Sequence, residues 1–196
     1  NRHNDYKGNG QSRLLQAVRE AILNTYPRSD VRADGQVVKI AFSDGMKFEI
    51  LPAFVTYGWN GIIYIYPDTN MGGNWRSTNP KAEQDAMRDK NKSSNGLLFD
   101  TCKHMRYIRD NYFKSYHLSG IVIDSFVYAA IKNWRWTTPE ESSSAAEPGE
   151  YEKLLYDYYL YNLRFSNTIN APGSNDYVDV SSSKDGLEKV LLKMCK

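Results

Sequence analysis

The stretch 118–131, LSGIVIDSFVYAAI, constrains the fold more than any other. Read as a helix opening at Leu118-Ser119-Gly120, it spreads Ile121, Val122, Ile123, Phe126, Val127, Ala130 and Ile131 around most of its circumference. A helix that is apolar nearly all round belongs at the centre of a bundle, because no single face of it can be left in water. The chain supplies helices to surround it. Asn95-Gly96 leads into a helix that runs to about Tyr112, with Leu98, Cys102, Met105 and Tyr112 at inward spacing. A Tyr-rich helix follows over 151–165 and an amphipathic one over 184–194. Between them, TTPEESSSAAEPGE (137–150) is polar and flanked by prolines, which predicts a mobile loop.

The chain before about Asp68 follows a different pattern. Gly8 and Gly10 precede a helix that begins near Gln11 and carries the stripe Leu14, Leu15, Val18, Ile22 and Tyr26 until Pro27 stops it. Residues 37–42 read as a strand, Ser43-Asp44-Gly45 as a tight turn, and 46–54 as the hairpin partner. A third strand over 62–66 ends at Pro67. The expected organisation is therefore α+β: a mixed block over 1–68, then a helical block over 69–196 with a mobile loop at about 137–150. There are no internal repeats.

Charge and cysteine content narrow the function classes. Lys and Arg total 25 against 23 Asp and Glu, a net charge of +2, so the chain has no general field for polyanions and any phosphate site must be local. The two cysteines, Cys102 and Cys195, stand far apart with no Cys-x-x-Cys, which argues against structural zinc and implies no oxidising compartment. No apolar run approaches the roughly 20 residues that span a bilayer, so a cytoplasmic protein without a membrane partner is expected. His3, His104 and His117 are too scattered for a metal site, and no motif supports Ser-His-Asp hydrolysis.

Three features could bear chemistry. In FEILPAF (48–54) one carboxylate, Glu49, interrupts an apolar strand; alternation puts Phe48 and Ile50 on one side and Lys47 and Glu49 on the other. Glu49 either faces water or meets a cation, of which a hard divalent metal is one. Ser119 stands where an N-cap should: its hydroxyl either caps the helix, worth about 1 kcal/mol, or joins the free amides there in holding phosphate. Lys103 and Arg106 lie three apart on one helix face, with Arg109 a turn further; they form a solvated stripe or neutralise phosphate. Trp75, with Asn79 in NWRSTNP, reads as a packing anchor.

The order FEILPAF, IIYIYPD, GGNWRSTNPKAEQDAM, NGLLFDTCKHMRYIRD, LSGIVIDSFVYAAI and NAPGSNDYV resembles the bacterial cGAS/DncV-like nucleotidyltransferases with a SMODS domain. These are relatives of oligoadenylate synthase and cyclic GMP-AMP synthase. The resemblance implies a DNA polymerase β-like nucleotidyltransferase core, packed on a C-terminal helical bundle. It implies transfer between nucleoside triphosphates, by attack of a ribose hydroxyl on an α-phosphate, to give cyclic or linear oligonucleotides in anti-phage signalling. Two magnesium ions (or manganese) would be held by three acidic residues, of which Glu49 matches the third. Lys103, Arg106 and Ser119 match positions that bind the triphosphate. Regulatory protein partners from a defence operon are implied as well.

One departure matters. The family's Gly-Ser turn and Asp-x-Asp pair precede the helix at Gln11, and no Asp-x-Asp occurs in the 196 residues. The expectation is a C-terminal portion of a longer enzyme whose core is incomplete at its N-terminus, inactive alone and prone to associate through an open strand edge. The alternative is a non-catalytic nucleotide- or RNA-binding module on the same fold.

Overall fold

A computed structural model describes residues 8–58, 61–70, 73–141 and 146–196. His3 and part of the loop expected at 137–150 lie outside the described residues. The chain divides into two compact units, Asn1–Asn79 and Pro80–Lys196.

The first unit opens with helix α1 (Gly10–Thr25), whose Leu15 packs against Val31, Val38 and Ile40, with Val18, Ile22 and Leu23 beside them. Those partners come from the antiparallel strands β1 (Asp30–Asp34) and β2 (Val37–Ala41), and β3 (Lys47–Ile50) continues the meander. Gly35, at φ 61°, supplies the left-handed residue that the two-residue turn between β1 and β2 needs. The turn expected at Ser43-Asp44-Gly45 forms, held by Met46 N–H donating to Asp44 Oδ1 at 3.0 Å.

The continuous strand expected over 46–54 does not form. β3 ends at Ile50, and β4 (Phe54–Gly58) starts a second sheet with β5 (Gly61–Asp68) and β6 (Asn74–Thr78), in the order β4-β5-β6. Pro52 sits in the break; it has no N–H to give a ladder, which suits a corner between sheets. β6 pairs with β5 from Asp68↔Asn74 to Tyr64↔Thr78, so this unit runs on to Asn79, where sequence periodicity placed a change near Asp68. Trp75 packs on Phe54 with ring centroids 5.7 Å apart, as an anchor would.

Asp68 ties the two sheets. It is 2% exposed and accepts from Gln36 Nε2 (3.1 Å), Asn70 N (3.0 Å) and Asn70 Nδ2 (2.9 Å), while Arg76 Nε lies 2.6 Å away. Burial opposes its charge, yet the Asn70 amide, the Gln36 and Asn70 side chains and Arg76 together hold its carboxyl below the usual range.

The second unit is the bundle that the apolar stretch requires. Helices α2 (Pro80–Ser93), α3 (Leu97–Tyr112), α4 (Gly120–Ala130), α5 (Glu150–Tyr158) and α6 (Lys184–Met194) are joined by a small hairpin, β7 (Thr168–Asn170) with β8 (Tyr177–Asp179). α5 runs on through a π turn at Tyr159–Leu163. α4 is the centre: Val122, Ile123, Phe126, Val127 and Ala130 are wholly buried, and α2, α3, α5, β7 and β8 all contact it. Two expected inward residues point out. Ile121 is 39% exposed, and Tyr112 is 56% exposed, with Lys193 Nζ 5.0 Å from its ring.

Candidate functional site

Two helix faces and one helix start line an open cavity of about 570 Å³ in the second unit. α2 lines it with Pro80, Glu83, Gln84, Met87 and Arg88, and α3 with Phe99, Cys102, Lys103 and Arg106. Both sets fall at three- and four-residue steps, so each is one stripe of its helix. α4 adds Ile121 and Asp124, and the turn between β7 and β8 adds Pro172. That turn is seated hard on α2: a Cβ on Gly173 would stand 2.4 Å from Ala82 O.

The floor is apolar and the polar groups are few and definite. Arg106 Nη2 donates to Asp124 Oδ1 and Oδ2, each at 2.7 Å, and to Gly120 O at 3.3 Å. Partial burial works against the guanidinium charge, but the hydrogen bonds and charge of Asp124 raise its pKa further above the ordinary arginine range. Lys103 stands freer, 77% exposed and 3.8 Å from Asp100. Glu83 is half-buried and accepts from Ser174 Oγ at 3.1 Å. Burial raises its pKa, and Asp176 adds to that against the opposing hydrogen bond from Ser174. Cys102 is no nucleophile: burial first, then the charge of Asp124, pushes its thiol up to about 12.

The residues nominated from sequence fall in different places. Lys103 and Arg106 both line the cavity. Arg109 does not; it donates to Leu118 O at 2.9 Å and pairs with Asp110. Ser119 caps α4, accepting from Val122 N–H at 3.4 Å, and its own N–H donates to Ser183 Oγ at 3.3 Å. Glu49 belongs to the first unit, opposite Lys39 in the ladder between β2 and β3. Its side chain is 65% exposed with Lys39 Nζ 3.7 Å from Oε1, and Phe48 and Ile50 share the other face, as alternation requires.

Glu83, Gln84, Arg88 and Asp124 escaped the sequence reading. For the three on α2 a signal existed: Asn79-Pro80 is a helix start, and 80, 83, 84, 87 and 88 keep helical spacing. Asp124 had none, because only the fold brings it to Arg106.

A magnesium site needs several oxygen donors together. Among the described residues no three His, Cys, Asp or Glu side chains converge, so the described residues do not make such a site by themselves. No helix among them is long and apolar enough to cross a membrane.

Residues 1–91 match the family model described as SMODS, Second Messenger Oligonucleotide or Dinucleotide Synthetase domain. A Bacillus cereus protein named probable cyclic nucleotide synthase is 26% identical over 125 residues, a match covering 58% of this chain and 36% of that protein. The chain thus spans about a third of the length of that curated relative. Among solved structures, the CdnE cyclic dinucleotide synthase of Elizabethkingia meningoseptica, with GTP and Apcpp, has a TM-score of 0.61 at 10% identity, covering 93% of this chain and 69% of that one. GTP-bound DncV of Vibrio cholerae has a TM-score of 0.59 at 14% identity, covering 91% and 48%.

Proposed function

We propose a part in nucleotidyl transfer for this chain, whose residues 1–91 match the SMODS domain family model and whose fold is that of the cGAS/DncV-like nucleotidyltransferases. The reaction is attack of a ribose hydroxyl on the α-phosphate of a nucleoside triphosphate, with pyrophosphate leaving, and its products are cyclic or linear oligonucleotides that signal phage infection. The observation that carries this reading is the cavity of the second unit, where Lys103 and Arg106 stand on one stripe of α3 above an apolar floor.

Phosphoryl-type transfer asks a protein mainly for positioning and charge neutralisation. Arg106 serves that need well, because Asp124 grips one nitrogen of its guanidinium and fixes the plane of the rest. Lys103 adds a mobile point charge. Ser119 and the first amides of α4 are proposed as further phosphate donors. Glu49 is proposed as one carboxylate of the family's metal set. One exposed carboxylate does not hold magnesium, so the chain alone is proposed to bind triphosphate weakly and to turn nothing over.

The test is direct. Incubated with radiolabelled triphosphates and magnesium, the chain should give no product on thin-layer chromatography, and a pyrophosphate-releasing product would overturn the account of its metal set. Binding should remain measurable and should weaken about tenfold or more in Arg106→Ala, as expected for loss of a charge-assisted contact. Unchanged binding in Arg106→Ala together with Lys103→Ala would overturn the phosphate assignment.

A further inference from the structure

We propose that Glu83 reads the base edge of a nucleotide held in the cavity between α2, α3 and α4, and selects guanine over adenine. This deepens the reading of the cavity as a nucleotide site and rests on it.

The cavity sorts its groups by chemistry. Met87, Phe99 and Ile121 offer an apolar surface for a flat ring. Arg88, Lys103 and Arg106 are cations suited to phosphate, and Asp124 has both oxygens committed to Arg106. Glu83 is the carboxylate left over. Its hydrogen-bond partner is a neutral hydroxyl, Ser174 Oγ at Oε1, and no cation reaches it within ion-pair distance among the described residues. Oε2 has no protein donor there. Burial without a countercharge leaves this group short of donors, which is the direction of its raised pKa.

Glu83 is also held in place. The turn that carries Ser174 cannot drift from α2, because Gly173 packs against the Ala82 carbonyl with no room for a Cβ. The carboxylate therefore stands in a fixed position at the cavity wall, as discrimination requires. An ionised carboxylate only accepts hydrogen bonds. Guanine presents two adjacent donors on its pairing edge, N1–H and the 2-amino group, and a carboxylate can take both. Adenine presents one donor, the 6-amino group, beside N1, an acceptor that would face the carboxylate unpaired. A site built to bond an N–H rejects the analogue that lacks it, because the protein's own buried group is then left unsatisfied.

The experiment is titration of GTP, ATP and ITP (inosine keeps N1–H and lacks the 2-amino group) into the isotopically labelled chain, followed by amide chemical shifts, which read weak binding. GTP should bind about tenfold or more tighter than ATP, with ITP between them. Glu83→Gln should lower GTP affinity about tenfold more than ATP affinity, and Glu83→Asp should recover part of the difference. Equal binding of GTP and ATP by the wild type, or an unchanged ratio in Glu83→Gln, overturns the role of Glu83 and leaves the cavity a nucleotide site. No response to any triphosphate, or shifts confined to residues away from α2, α3 and α4, overturns both. Where Glu83→Gln fails to fold, Glu83→Asp carries the comparison, and a GTP-to-ATP ratio unchanged from the wild type overturns the role of Glu83.

Discussion

Single side chains set the stability of each unit, and two of them make opposite predictions. Asp68 is a buried carboxylate with four donors, so removing it takes one shared acceptor from Gln36, Asn70 and Arg76. Asp68→Ala should destabilise the first unit by about 3 kcal/mol, read from denaturant midpoints. The native pKa of Asp68 is depressed. Its contribution is therefore fully present above the unfolded value of about 3.9 and disappears as pH falls through the lower native value. Below about pH 4, stability should fall more with pH in the wild type than in Asp68→Asn, and parallel acid profiles would contradict this. Ser125 is the converse case. Its hydroxyl is wholly buried on α4 with no hydrogen-bond partner among the described residues. Ser125→Ala should raise stability by about 1 kcal/mol, since it removes an unsatisfied polar group and improves helix propensity; a loss of stability would show that the hydroxyl has a partner.

At the scale of elements, how much could be read from sequence depended on how strongly each pattern was forced. α4 was legible because its residues admit no half-exposed position, and the structure buries it beneath five other elements. Phe126 is its largest wholly buried side chain, so Phe126→Ala should cost about 3–5 kcal/mol in the second unit, by lost burial and a cavity that the surrounding helices cannot fill. A cost below 1 kcal/mol would mean the helix is not central. α6 and the turn before β3 were equally plain. The break between β3 and β4 leaves no mark in the sequence pattern other than Pro52, because apolar residues continue across it while the ladder does not: the pattern reports faces, not pairing partners. β1, with three charged residues in five, and β6, with Arg76, Ser77 and Thr78, carry too little apolar signal to be read as strands; each is defined by its neighbour's hydrogen bonds. The candidate site divides in the same way. Lys103 and Arg106 were visible as cations on one stripe, whereas Asp124 and the turn at Ser174 reach the cavity only through tertiary packing. Glu49 was placed on the right face by alternation, with Lys39 as the partner that only strand register could reveal.

For the whole molecule the governing quantity is charge. A net charge of +2 spread over 196 residues gives no extended positive field, so affinity for phosphate has to come from individual contacts. Nucleoside triphosphate and duplex DNA both present phosphates, yet they ask for different surfaces. The triphosphate needs two or three donors at one place, a part proposed here for Lys103, Arg106 and Arg88, which line the cavity. The duplex needs many cations in a row, each adding to a steep salt dependence through released counterions. The chain should therefore bind duplex DNA no tighter than about 100 µM at physiological salt, at the weak end of non-specific binding. Inorganic tripolyphosphate should compete with GTP for the cavity, and Arg106→Ala with Lys103→Ala should abolish that competition without changing the DNA result. Fluorescence anisotropy of a labelled duplex across a salt series, beside tripolyphosphate competition, reads both quantities. Micromolar DNA affinity falling steeply with salt would mean that the cations of this chain act as one surface, and the local phosphate site would then lose its main physical support.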